Sequence, residues 1–316
     1  MAGVKPVPAS ADASFRRYFR LQTNSESFIA MDAPPPQEDC QPFVRIAGFL
    51  EAMQLNAPRV LEADLDQGFL LLSDLGTTQY LVALNDDAAA RDLLYGDALL
   101  ALQRMQLRGS AYQSLLPPYD DALLTFELSL FHDWLCEKYL NLEFSDAEER
   151  HWQIVCECLI RNALEQAQVF VHRDYHSRNL MLTDRDNPGI LDFQDAVEGP
   201  LTYDLVSLLK DCYLRWDAGW VRACALEFFA THDETIRDRV NAETFVREFE
   251  LMGVQRHLKA AGIFTRLKLR DGKEAYMRDI PLTLSYILEV APRYEELDFL
   301  DRLIRERVLP ALEAAG

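Results

Sequence analysis

The feature that most constrains this chain is a stretch near its middle in which two polar clusters alternate with brief apolar runs. It reads His172-Arg173-Asp174-Tyr175-His176-Ser177-Arg178-Asn179 and, thirteen positions after the asparagine, Asp192-Phe193-Gln194-Asp195. Apolar runs at 169–171, 180–182 and 189–191 bracket these clusters, which places each cluster on a loop beside a short strand. Transfer of a phosphoryl group requires a carboxylate beside the acceptor hydroxyl and oxygen ligands for the magnesium ions that neutralise the phosphates. Asp174, Asn179 and Asp192 supply those groups in the pattern H-R-D-x-x-x-x-N followed by D-F-x. Asp174 is the expected catalytic base, and Asn179 and Asp192 are the expected metal ligands. Any one Asp or Asn in so acidic a chain is most simply a solvated loop residue; the signal is the combination.

Charge narrows the partners. The 316 residues carry 32 Lys and Arg against 51 Asp and Glu, a net charge of −19. Such a surface repels a phosphate backbone and an anionic membrane, so neither nucleic acid nor membrane is an expected partner. No apolar stretch reaches the 18 or so residues of a membrane span, and the first residues lack the apolar core of a secretory signal, so a cytoplasmic location is expected. Six scattered cysteines without a C-x-x-C pair read as free, buried thiols. The oligomeric state is left open.

The character of the chain changes near Gly76. Residues 1–76 hold short runs of strand length, FRRYFRLQ, SFIAMD and GFLLLSDL, with one helical stretch over 41–54. Residues 77–316 are dominated by helical spacing, over 87–107, 121–140, 146–165 and 200–213. Ser145 with Glu148 three residues on forms a capping box for the third of these. The pattern predicts an α+β protein of two lobes around a cleft: a small antiparallel-sheet lobe with one helix, then a larger, mostly helical lobe carrying the catalytic loop and the substrate site.

These motifs resemble the aminoglycoside phosphotransferase-like kinases, relatives of the protein kinases that phosphorylate small molecules. The family's loop usually reads H-G-D-x-H-x-x-N; His176 matches its second histidine, and Arg173 stands where glycine is usual. Gly199-Pro200 and Tyr203-Asp204-Leu205 match the segment after the metal-binding Asp. The resemblance implies a two-lobed protein-kinase-like fold, ATP and Mg²⁺ as cofactors, and a supporting role behind the catalytic loop for His172 and a buried Asp204. Four phrases extend it to the subgroup that phosphorylates cell-wall amino sugars, the N-acetylmuramate/N-acetylglucosamine 1-kinases: residues 11–20, residues 30–35, residues 172–181, and Gln255-Arg256-His257-Leu258-Lys259 with Gly262-Ile263-Phe264. The implied activity is ATP-dependent phosphorylation of the anomeric hydroxyl of a small-molecule sugar to its 1-phosphate, in peptidoglycan recycling. Two other readings stay open at this point: a kinase of another small hydroxylated substrate, either another sugar or an aminoglycoside, and a catalytically inactive nucleotide-binding regulatory module.

The pattern also departs from its relatives. Kinases carry a lysine on the third strand, paired with a helix glutamate, to hold the nucleotide phosphates. The corresponding strand here, Phe28-Ile29-Ala30-Met31-Asp32, has no lysine, and the only acid of the following helix, Glu51, comes too late. Arg16 and Arg17 are the candidate substitutes, with the backbone of residues 12–15, including Ser14 and Phe15, cradling the nucleotide. An exposed strand decorated with arginines would look the same. Residues 70–76, with Asp74 and Leu75, read as the hinge that meets the adenine edge. For the sugar, Asp195, His176 and Arg256 are candidates, the last within a basic cluster that an amphipathic helix surface explains equally well. Tyr213, Trp216 and Trp220 are aromatic candidates, although core packing is their commoner use.

Overall fold

The computed structural model describes residues 5–11 and 15–315; Ser14 lies outside them. Two compact units form. One comprises residues up to Leu116 together with His172–Ala196, the other Pro117–Val171 together with the residues from Val197 onward.

The first unit is built on a five-stranded antiparallel sheet of β1 (Val7–Ala11), β2 (Arg17–Gln22), β3 (Ser27–Asp32), β4 (Val60–Asp64) and β5 (Phe69–Ser73), in the order β1-β2-β3-β5-β4. The three apolar runs of the sequence are its central strands. Leu70 and Leu72 of β5 alternate inward with Met31 of β3, while Phe69 faces solvent, the period-2 pattern of a half-buried sheet. The two strands the sequence did not announce, β1 and β4, are the edges. VPASA is built of small residues and a proline, and VLEAD carries two acids and is mostly exposed, so neither sequence shows that alternation. Helix α1 (Gln41–Ala52) starts with a proline in its first turn and buries Phe43, Ile46, Ala47 and Leu50 on one stripe. At the β4–β5 turn Gly68 has φ +77°, and a Cβ there would stand 2.0 Å from the Ala33 carbonyl oxygen. Only glycine lets that turn close on Ala33, whose N–H donates to the Gly68 carbonyl at 2.8 Å. Helices α2 (Tyr80–Asp86) and α3 (Arg91–Gly109) complete the unit apart from the catalytic segment.

The second unit is mostly helical. Helix α4 (Asp121–Leu130) passes directly into a π-helical stretch, Phe131–Tyr139, so the single helix expected over 121–140 is two structures in series. Helix α5 (Asp146–Glu165) begins at the predicted capping box: the Ser145 hydroxyl accepts from the Glu148 N–H at 3.4 Å, and the Ser145 N–H donates to Glu148 Oε2 at 2.8 Å. Such a cap stabilises a helix by about 1 kcal/mol. Strand β6 (Gln168–Val171) pairs with β9 (Val197–Pro200), a partner the sequence did not signal. Helices α6 (Tyr203–Leu209), α7 (Ala218–Thr231) and α8 (Glu234–Arg237) precede α9 (Ala242–Asp271), which packs against α4, α5, α6 and α10 (Ile280–Val290). The expected helix over 200–213 is therefore confined to its middle. Gly262 of α9 explains one of the recurring phrases: a Cβ there would lie 2.3 Å from the Leu130 carbonyl carbon, so α9 meets the α4–π junction backbone to backbone.

The cysteines are free, five buried and Cys224 half-buried, in line with the sequence. No helix of the described residues is long and apolar enough to cross a membrane.

Candidate active site

The runs at 180–182 and 189–191 form β7 (Leu180–Met181) and β8 (Gly189–Ile190), an antiparallel hairpin whose Leu180 and Ile190 are fully buried. Pairing them makes neighbours of distant residues: the Leu191 N–H donates to the Asn179 carbonyl at 2.9 Å. The Asn179 side-chain amide then donates to the Asp174 carbonyl at 3.0 Å and to Asp192 Oδ2 at 3.3 Å. The three residues singled out by spacing are thus brought together. The segment is fastened on several sides within its unit. Ile190 N–H donates to the Asn56 carbonyl at 2.7 Å, Leu81 N–H to the Ser177 carbonyl, and the Tyr175 hydroxyl to the Ala98 carbonyl at 2.8 Å. The Phe193 ring lies 4.7 Å from Phe43 of α1.

His172 is fully buried, and its Nδ1 accepts the Asp174 N–H at 3.2 Å. Burial lowers its pKa to about 4 against the pull of Asp174, so the ring is neutral near pH 7 and props the loop as a hydrogen-bonding group. Arg173 adopts φ +78° and Asp192 φ +61°. Left-handed backbone suits glycine and tolerates Asp, but burdens other side chains by about 1 kcal/mol or more. That is the physical reason glycine is usual at the position of Arg173.

One residue of the site was missed by the sequence reading. Gln194, 8% exposed, donates from Nε2 to Asp192 Oδ1 at 2.9 Å and to Asp195 Oδ2 at 3.3 Å, an amide bridge between two carboxylates. Its only trace in the sequence is its place between two Asp residues. Asn179 commits its amide nitrogen inward, which leaves Oδ1 as the atom it offers to a ligand. With the Asp192 carboxylate beside it, the donor set is all oxygen, which fits a hard divalent cation.

The structure separates the two arginines. Arg16 pairs with Glu38, Nε to Oε2 at 3.0 Å, with only 11% of each side chain exposed. Burial alone would lower the Arg16 pKa, but Tyr18, ionised in the high pH range where an arginine titrates, and the carboxylates of Glu38, Asp195 and Asp192 outweigh it and raise the value. Arg17 opens β2 opposite Asp32 of β3, pairs with it, and is 63% exposed. Phe15 is exposed, and its N–H donates to Glu38 Oε1 at 3.0 Å.

Asp74 is a tie between strands and turn, accepting from Arg20 Nε at 2.6 Å, Ser27 Oγ at 2.5 Å and the Gly76 N–H at 2.9 Å. Burial would raise its pKa, and these hydrogen bonds reverse that and hold it below the ordinary value. Leu75 contacts the hairpin: a Cβ on Gly189 would stand 3.0 Å from its Cδ1.

Among the sugar candidates, His176 is half-buried and lies within the loop, its N–H donating to the Asp174 carbonyl at 3.1 Å, while Asp195 is exposed beside Gln194. Arg256 belongs to the helical unit. There it is 6% exposed, with Nη1 3.7 Å from Cys212 Sγ. Its neighbours are buried too: His257 Nε2 lies 2.9 Å from the Lys210 carbonyl, and Lys259 Nζ meets Glu127 Oε1 at 3.0 Å and the Tyr203 hydroxyl at 2.8 Å. The basic cluster is therefore an interior network, which removes the amphipathic-surface explanation. Asp204, in the first turn of α6, is fully buried as expected. Trp216 and Trp220 are half-buried with rings 6.0 Å apart, and Tyr213 meets Phe264 at 6.2 Å.

The sequence profile of the phosphotransferase enzyme family matches residues 5–241. The chain belongs to that family. Relatives named N-acetylmuramate/N-acetylglucosamine kinase include one from Pseudomonas aeruginosa, 46% identical over 302 residues, with 94% of this chain and 87% of the relative covered. Another, from Pseudomonas putida, is 48% identical over 299 residues with the same coverage. Among solved structures, an ethanolamine kinase of Plasmodium vivax superposes with a TM-score of 0.61 at 12% identity, covering 93% of this chain and 83% of its own. The family resemblance read from the motifs is borne out, and the phosphotransferase has the expected α+β, protein-kinase-like fold.

Proposed function

We propose that this phosphotransferase transfers the γ-phosphoryl group of ATP to the anomeric hydroxyl of N-acetylmuramate and N-acetylglucosamine, giving the sugar 1-phosphate. The observation that carries this reading is the 46–48% identity, over 94% of the chain, to relatives bearing that name. The intact set of Asp174, Asn179 and Asp192 supports it and weighs against a binding-only module.

The sequence reading assigns residues 1–76 to a nucleotide-binding lobe and 77–316 to a lobe bearing the catalytic loop and the sugar site; the compact unit that contains the sheet differs from this in also taking in residues up to Leu116 and the catalytic segment His172–Ala196. Asp174 aligns the anomeric oxygen and accepts its proton as the oxygen–phosphorus bond forms and the bond to the departing ADP oxygen breaks. An anomeric hydroxyl is more acidic than an ordinary alcohol, so alignment contributes more than base strength. Asn179 and Asp192 would hold Mg²⁺, which supplies neutralisation of the phosphate charge when bound. Gln194 keeps the Asp192 carboxylate in place. Arg16, and in the sequence reading Ser14, Phe15, Arg17, Asp74 and Leu75, belong to the nucleotide side; His176, Asp195 and Arg256 belong to the sugar side; His172 and Asp204 support the loop.

The test is ATP consumption with Mg²⁺ against N-acetylmuramate, N-acetylglucosamine, glucose and an aminoglycoside. Turnover is expected on the amino sugars, lost on their 1-O-methyl glycosides and lowered about 10³-fold in Asp174→Asn. Equal turnover on the blocked glycosides, or turnover on the aminoglycoside alone, would overturn the proposal.

A further inference from the structure

The third strand has no lysine to offer a nucleotide, and α1 has no acid in its first turn. Both halves of the usual kinase ion pair are absent from their usual elements. The structure holds a pair of the same kind, moved to other positions of the same sheet-bearing unit. Its cation, Arg16, enters β2 instead of lying on β3, and its acid, Glu38, precedes α1 instead of lying within it. We propose that Arg16 and Glu38 take the place of that lysine and glutamate, with Arg16 binding the nucleotide phosphates and Glu38 acting as the positioning residue that aims it. This rests on the nucleotide-using reading above.

The geometry supports a positioning role. One carboxylate grips two consecutive residues, Oε1 taking the Phe15 N–H at 3.0 Å and Oε2 taking Arg16 Nε at 3.0 Å. Backbone and guanidinium are therefore fixed together, and the pairing uses the Nε edge of a planar group that has five N–H donors. Low exposure of both partners keeps water from loosening the pair, as it loosens surface ion pairs. Arginine also suits phosphate better than lysine does, because its fork matches two oxygens at once. The site relation holds as well: Arg16 lies within the field of Asp192, the carboxylate of the candidate metal centre, and of Asp195 three residues on. Arg17 does not share these properties, being largely exposed and committed to Asp32.

Glu38→Gln keeps the shape and removes the charge. Equilibrium titration with a fluorescent ATP analogue, without sugar, reads the nucleotide step alone, and steady-state kinetics separate the two substrates. Glu38→Gln and Arg16→Ala are each expected to weaken nucleotide binding and raise the ATP KM by about tenfold, with the sugar KM unchanged. The double variant is expected to be no weaker than Arg16→Ala alone, because the amide oxygen in Glu38→Gln still accepts the Phe15 N–H and the lost charge acts through Arg16. Glu38→Asp, which keeps the charge but shortens the reach, is expected to fall between wild type and Glu38→Gln, and it remains informative where Glu38→Gln folds poorly. Wild-type nucleotide affinity in Glu38→Gln, or losses that multiply in the double variant, would overturn the pairing. Failure of the sugar assignment shows separately, as a wild-type protein that binds the nucleotide analogue and leaves the amino sugars untouched.

Discussion

Within the segment from His172 to Asp195, the polar side chains of the motif itself find one another close by in the sequence, while Tyr175 and Asn187 tie the segment to Ala98, Tyr80 and Asp97 farther back. Asn179 reaches Asp192 thirteen residues on, and Gln194 reaches Asp192 two residues back. In the helical unit the charged groups themselves find their partners far away: Gln255 donates to Glu127 across 128 residues, and Lys259 meets the Tyr203 hydroxyl across 56. The kind of partner differs too. Beside Asp192 the side-chain amides of Asn179 and Gln194 orient the carboxylate without cancelling its charge, and Arg16 acts on it through its field. Around Glu127 a full positive charge, Lys259, sits at 3.0 Å with a tyrosine hydroxyl and an amide completing the shell. A carboxylate steadied by dipoles keeps its charge for a cation or a proton; one neutralised by a lysine contributes to the interior instead.

The sharpest way to break this contrast is to remove one member from each region and measure both stability and turnover. Lys259→Met leaves Glu127, 1% exposed, as an uncompensated buried charge. It is expected to destabilise the protein by about 3 kcal/mol, roughly 6–10 °C in Tm. Adding Glu127→Gln should recover much of that loss. Asp174→Asn is expected to move Tm by no more than about 2 °C while lowering turnover about 10³-fold. If Lys259→Met melted like wild type, the helical network would not be the stabilising element its burial indicates.

The same contrast explains what could be read from the sequence. The catalytic segment was legible because its motif residues pair with one another: a fixed spacing of Asp, Asn and Asp, with short apolar runs, already specifies a hairpin and its loops. The Ser145 capping box and the three central strands were legible for the same reason. Edge strands β1 and β4 were not, since a strand paired on one side and wet on the other carries little apolar alternation. The π-helical stretch after Leu130 was hidden because the apolar pattern runs on through it, and the reason for close contact there, Gly262, lies more than a hundred residues away. Glu38 was overlooked because the acid was sought inside α1, and the fold supplies it from the segment before. Arg256, His257 and Lys259 looked like a surface cluster because their compensating partners are remote in the chain.

Arg173 offers a smaller effect that isolates backbone from side chain. At φ +78° a Cβ is costly, so Arg173→Gly is expected to be more stable than Arg173→Ala by about 1 kcal/mol, the reverse of the usual order of these two residues outside turns. Comparing the two variants with each other cancels whatever the arginine side chain contributes. Equal melting temperatures, or a more stable alanine variant, would mean that the loop relaxes out of the left-handed region when the arginine is removed, and that its local hydrogen bonds do not fix its backbone.

The helical unit also contains a charge that lacks the compensation given to Glu127. Burial, reinforced by the nearby Glu165, raises the pKa of the half-buried Glu248 to about 7. A carboxyl whose folded value lies above its unfolded value of 4.5 favours the folded state at acid pH, and that contribution is lost as pH rises through about 7. Glu248→Gln should therefore melt with wild type near pH 4 and above it at pH 8, by under about 1 kcal/mol or roughly 2 °C. Buried His172 and His257 act in the other direction. Burial lowers them to about 4 and about 3, so their contribution is complete above 6.5 and is lost as pH falls toward those values. Both histidines are present in wild type and variant alike, so their effect drops out of the difference between the two melting curves, and what remains is the carboxylate alone. A difference that grew on acidification instead would show that Glu248 is ionised and compensated in the folded protein, as Glu127 is, and would remove this exception to the pairing of interior charges.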